Sequence, residues 1–133
     1  MPAITPYRVA AGLLAVVFTG HTIGAVLTEP SVGLDGDVVF ASMKAVSFNF
    51  YGSTRTWHGF YLAFSITQSL WLAFTAFITW QLDRVPDAAW PHVAAIGWAL
   101  VGVNAAQAVL CWMYFFIAPS LFSTAATALL LVE

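Results

Sequence analysis

The sequence predicts an all-α fold: a transmembrane four-helix bundle with a short interfacial helix in its first connection. Three observations carry that reading. The chain is 61% hydrophobic and only 8% charged, whereas a soluble domain carries about 25% charged residues. Three long runs, 9–27, 56–82 and 88–132, contain no Asp, Glu, Lys or Arg. Within those runs the polar residues recur at steps of three and four, the period of a helix rather than of a strand.

At 133 residues the chain, 1–133, is expected to form a single integral membrane domain. The first span is 5–28, with 4–8 as its entering turn. An apolar stretch after Arg8 resembles a signal peptide, but no small-x-small cleavage site comes after it, so the segment is read as a retained span. The second span is 56–82. Each run meets the roughly 20 apolar residues that one crossing needs. The third run is too long for one crossing at about 1.5 Å per residue and must fold back. Pro119 marks the break, because proline suits the first turn of a helix and not its middle. Spans 90–113 and 119–132 result, joined by a turn at 114–118; the last of them is short, which leaves a helix starting nearer Phe115 as the alternative.

Four spans place both termini and the 83–87 turn on one side of a membrane, with the 28–55 connection and the 114–118 turn on the other. Arg8 and Arg84 then face Lys44 and Arg55, an even division that sets no orientation. Residues 29–37 hold proline, glycines and acids and read as a turn. Val38, Val39, Met43 and Val46 fall near one face of a short helix. The segment 37–51 is therefore expected to lie in the interface or to cover the bundle mouth. Phe48, Phe50 and Tyr51 lead through Gly52 into the second span, and no strand is expected.

His58, Tyr61, Ser65, Gln68, Leu72, Thr75 and Thr79 line one face of the second span. Lipid offers hydrogen-bonding groups no partner, so this stripe is expected to turn inward while Phe60, Phe64, Phe74 and Phe77 turn outward. Asn104, Gln107 and Cys111 repeat the pattern, as do Ser120, Thr124 and Thr127. Gln68 and Asn104 lie at similar depths by residue count, which suits an amide pair. Such residues also commonly do no more than join helices.

The element GHTIG, residues 20–24, sets a histidine beside a glycine pair spaced for close helix approach. Gly20 and Gly24 thus offer a face for packing or for an oligomer. His21 and His58, with Arg55 one turn before it, are expected to share a depth beneath 38–51. Imidazole is the side chain that most readily takes up and returns a proton near neutral pH. The structural alternative is a histidine bonded to a backbone carbonyl or an interfacial aromatic. No metal is expected, since zinc wants three or four ligands. Glu29 is the one further candidate on that side, and His92 lies on the other. No cofactor is expected either, with haem between His21 and His58 as the alternative. The six tryptophans mostly fall near span ends, where amphipathic rings sit anyway. A net charge of −2 without a basic stretch argues against nucleic acid, and Cys111 alone makes no internal disulfide.

GHTIG, ASMKAVSF followed by YGSTRTWHGFY, and YFFIAP before the last span resemble small four-span membrane proteins loosely similar to the DoxX-like families. The resemblance implies four helices and binding of hydrophobic molecules, including quinone- or sterol-like ones. Two functions remain open on the residues. One is a cofactor-free isomerase or cyclase acting on a lipophilic substrate. His21 and His58 would be its acid and base and Arg55 its anion-stabilising group, with Tyr61, Ser65, Gln68, Asn104 and Gln107 contacting substrate. The other is a non-catalytic membrane subunit or ligand-binding protein whose polar stripe packs helices or meets a partner. Both place the chain in a lipid bilayer as a multi-pass protein.

Overall fold

The computed structural model describes residues 4–29 and 31–132. Helix α1, Pro6–His21, passes directly into a π-helical turn, Thr22–Leu27; helix α2 is Leu34–Ala45. Strands β1, Ser47–Phe50, and β2, Ser53–Thr56, precede helix α3, Trp57–Leu82. A single 3₁₀ turn, Asp87–Ala89, leads into helix α4, Trp90–Tyr114, and helix α5 is Ile117–Leu131. Three helical stretches are long and apolar enough to cross a membrane: Pro6–Leu27, Trp57–Leu82 and Asp87–Tyr114. The fourth, α5, has 15 residues, about 22 Å at 1.5 Å per residue, which falls short of a hydrocarbon core of about 30 Å.

Four local features differ from the sequence expectation. The expected single helix of the first span changes register after His21. Its π turn closes where Thr28 gives both its N–H and its hydroxyl to the Ile23 carbonyl, at 2.9 and 2.7 Å. The expected interfacial segment 37–51 is helical only as far as Ala45, in a helix that begins at Leu34, and an antiparallel hairpin of Ser47–Phe50 with Ser53–Thr56 follows. Tyr51 and Gly52 both have positive φ, at 48° and 80°, as a two-residue type I′ turn requires. Asn49 Oδ1 accepts the Gly52 N–H at 3.0 Å and holds that turn closed. Finally, α5 begins at Ile117, so Pro119 is its third residue rather than its first. There its missing N–H is still one that has no helical partner.

By packing, the chain falls into two units, one made of residues up to Phe18 with those from Trp71 onward, the other of Thr19–Leu70. The first unit has a core of Tyr7, Ala10, Leu82, Leu100 and Leu130. Tyr7, Ala10, Ala11 and Leu14 are the buried stripe of α1, spaced as one helical face. Helices α4 and α5 pack antiparallel through small and polar residues: Asn104, Ala108 and Cys111 on α4, and Ser120, Ser123, Ala126 and Thr127 on α5. Side chains this small let the backbones approach closely. Cys111 Sγ lies 3.7 Å from Ser123 Oγ, and Trp112 Nε1 donates to Thr124 Oγ1 at 3.0 Å.

The start of α1 is fastened to the turn after α3. Thr5 caps α1 by accepting the Arg8 N–H at 3.1 Å, with Pro6 in the first helical position, where proline is favoured. Asp83 accepts from the Thr5 hydroxyl and from Arg8 Nε and Nη2, at 3.0 and 2.7 Å. The Arg8 guanidinium also lies 5.8 Å from the Trp80 ring centre. Burial pushes the Asp83 carboxyl upward, but the hydrogen bonds from Thr5 and Arg8 and the Arg8 charge outweigh it and hold the group below the usual carboxylate range.

Candidate functional site

The expected polar face of α3 is the buried one. Ser65, Ser69, Leu72, Thr75 and Thr79 are buried, while Phe64, Ile66, Leu70, Phe74 and Phe77 are exposed. His58, Tyr61 and Gln68 are half-buried. The buried hydroxyls find partners inside the chain. Thr75 and Thr79 donate to carbonyls one turn back, Thr75 to Trp71 and Leu72 and Thr79 to Thr75, the usual arrangement for threonine within a helix.

In the unit Thr19–Leu70, the end of α1 and the first half of α3 are joined by two side-chain bonds. His21 Nε2 lies 3.1 Å from the Ser65 carbonyl oxygen. A carbonyl only accepts, so Nε2 carries the hydrogen and the tautomer is set. One residue on, Thr22 Oγ1 donates to Ser69 Oγ at 3.0 Å. His21 is thus the carbonyl-bonded histidine of the structural alternative. The same bond sets the level of His21 along α3.

That level is not the level of His58. Seven residues separate His58 from Ser65, about 10 Å of helix rise. Side chains on a helix lean toward its N-terminus while its carbonyls point toward the C-terminus, which moves the two groups further apart. The shared depth expected of the two histidines is therefore absent. Haem held by both would require His21 to release Ser65.

His58 belongs instead to a group at the start of α3. Its ring centre is 6.4 Å from that of Tyr61, and Phe40 of α2 meets Tyr61 edge-to-face at 5.4 Å. Lys44 Nζ, near the end of α2, bonds both carboxylate oxygens of Glu29 at 2.7 Å. That hydrogen bond and the lysine charge hold the Glu29 carboxyl below its ordinary range, with a smaller contribution from His58. Glu29, Ser31, Asp37, Ala41 and Lys44 line an open cleft of about 360 Å³. Arg55 is bonded outside this group. It is exposed on β2 and donates from Nη1 to the carbonyl of its neighbour Thr54 at 2.8 Å.

The remaining expected contacts lie on α4. Asn104 is buried and donates to the Leu100 carbonyl at 2.9 Å, and Gln107 Nε2 donates to Cys111 Sγ at 3.5 Å. Both amides are thus engaged along their own helix. Gly20 and Gly24 are exposed, and a Cβ built at either meets no atom within 4 Å. Among the described residues, no neighbouring backbone uses them. Nor do any three His, Cys, Asp or Glu side chains among the described residues gather as a metal set would.

Thr5, Asp83 and Ser69 lie outside the residues that the sequence singles out. The first two had a signal in Thr5-Pro6, an N-cap followed by proline, and in a carboxylate ending the second apolar run. Ser69 had none beyond lying one position from the predicted stripe. No protein-family model, curated protein or solved structure matches the chain. Fold and site together define a class: a mostly helical protein with three helices of membrane-crossing length and composition.

Proposed function

We propose that this is a multi-span integral membrane protein that acts as a non-catalytic subunit, its inward polar side chains serving to join helices. In this reading α5 completes a four-helix bundle, and the exposed apolar side chains of α1, α3 and α4 meet lipid or a partner's helices. One observation carries it. Among the described residues, no buried side-chain nitrogen or oxygen lacks a hydrogen-bond partner. His21 is bonded to the Ser65 carbonyl and Thr22 to Ser69, the kind of contact by which polar side chains commonly join membrane helices.

A second reading has an observation of its own. The half-buried His58 has its ring centre 6.4 Å from that of Tyr61, and in this reading a lipophilic substrate entering from the membrane surface meets it. This is the cofactor-free isomerase or cyclase, with His58 rather than a histidine pair as the proton carrier.

Extraction in mild detergent followed by native mass spectrometry separates the two. The subunit reading expects a second copy or another membrane protein bound in fixed ratio. It also expects His58→Ala to leave that complex unchanged. A co-purifying lipophilic molecule that wild-type protein converts and His58→Ala does not would sink the non-catalytic reading and install the second.

A further inference from the structure

The hairpin that replaces the expected loop carries a continuous row of aromatic rings. Phe48 and Phe50 lie on one face of β1, two residues apart. Phe48 packs against Trp57 and Phe60, with ring centres 4.8 and 5.7 Å apart. Phe50 packs against Tyr51 at 4.8 Å and Phe60 at 6.3 Å, and Phe60 continues to Phe64 at 6.3 Å. The row thus runs from the hairpin tip to the second turn of α3. It is not covered. Tyr51 is 95% exposed, Phe50 54%, Trp57 56% and Phe64 69%.

We propose that this hairpin is a membrane foot, with its aromatic face sunk into the headgroup–acyl boundary of a zwitterionic phospholipid bilayer. The proposal rests on the reading of α3 as a membrane span. Under that reading the ring row joins the lipid-facing side of the span without a break, through Phe60 and Phe64. Amphipathic aromatic rings concentrate at this depth of a bilayer. The opposite face of the hairpin presents Ser47, Asn49, Thr54 and Thr56, which suit water. Residues 47–64 contain no Asp or Glu, so no carboxylate has to be brought against lipid. Arg55, paired with Phe48 across the strands, has a side chain long enough to reach headgroup phosphates while its stem stays among the rings.

The test is site-directed spin labelling of the full chain in phosphatidylcholine vesicles, with Cys111 replaced by Ser. Labels at Tyr51→Cys, Phe64→Cys and Asp35→Cys are compared for collision with oxygen, which concentrates in lipid, and with a water-soluble nickel chelate. The expected oxygen-to-nickel ratio at 51 is several-fold above that at 35 and approaches that at 64. Adding Phe48→Ser and Phe50→Ser moves the ratio at 51 toward that at 35. A label at 51 as open to nickel as one at 35 would overturn the proposal in favour of a hairpin in water. Shielding from both reagents would overturn it in favour of a protein partner. If position 64 itself matched position 35, the span reading would fail and the foot with it. A failure confined to position 51 rejects the foot alone.

Discussion

Replacing Asp83 with Asn removes one charge from the fastening between the start of α1 and the turn after α3. The Asp83 side chain is 0% exposed and that of Arg8 33%. The carboxylate accepts two bonds from the guanidinium and one from Thr5. Breaking a fully buried pair by removing one partner costs about 3–5 kcal/mol, and an exposed pair is worth about 1 kcal/mol or less. Arg8 keeps a third of its surface in contact with its surroundings, so the expected loss is about 2–3 kcal/mol. The assay is reversible unfolding in mixed micelles, followed by circular dichroism. Arg84→Gln, an exposed cation next door, should stay within about 0.5 kcal/mol of wild type. The pH dependence has a definite sign. The carboxyl is held lower in the folded protein than its unfolded value of about 3.9, so its stabilisation is complete above that value. It is lost as acid brings the pH down through the folded value. Wild type and Asp83→Asn should therefore differ at pH 7 and converge in acid. A variant indistinguishable from wild type at pH 7, or a gap that persists undiminished in acid, would refute this account.

Two further substitutions probe the geometry. Gly97→Ala should destabilise by about 1–3 kcal/mol in the same unfolding assay. A Cβ there would stand 3.0 Å from the Tyr7 hydroxyl and 3.1 Å from the Trp90 ring, and unchanged stability would mean that contact is looser than it stands. Pro119→Ala should change stability by less than about 1 kcal/mol, because Pro119 occupies the first turn of α5, where proline is tolerated. A gain near 3 kcal/mol would show instead that the helix begins earlier and that Pro119 interrupts it.

How far the fold was readable depended on which force shaped each element. The α3 stripe was readable because lipid cannot satisfy a hydroxyl. Steps of three and four therefore predicted that Ser65, Thr75 and Thr79 would be buried and Phe64, Phe74 and Phe77 exposed. The π turn after His21 left no such mark, since a change in backbone hydrogen-bond register needs no particular side chain. The hairpin was hidden by its turn. Asn-Gly would have announced a type I′ turn, whereas Tyr51 holds the left-handed position that tyrosine rarely adopts. Its strands are four residues each, too short for their alternation to stand out from the aromatic run around them.

Where His21 meets α3, rather than where α3 begins, separates the two histidines. Counting the second span from residue 56 assumes that a helix begins where charge ends, and it sets His58 about one turn inside. Strand β2 occupies Ser53–Thr56, so α3 starts at Trp57 and His58 falls in its first turn. His21 meanwhile meets α3 at Ser65, about two turns deeper. Because His21 bonds the Ser65 carbonyl, seven residues beyond His58, a would-be acid–base pair is separated by roughly 10 Å of helix rise, several times the hydrogen-bond reach that proton transfer requires. The glycines of GHTIG lead to the same conclusion. With nothing near Gly20 or Gly24, the direction of the imidazole is set by the Ser65 carbonyl and by the Thr22–Ser69 bond beside it, not by close backbone packing. The histidine set among apolar residues thereby joins two helices, through its bond to the Ser65 carbonyl.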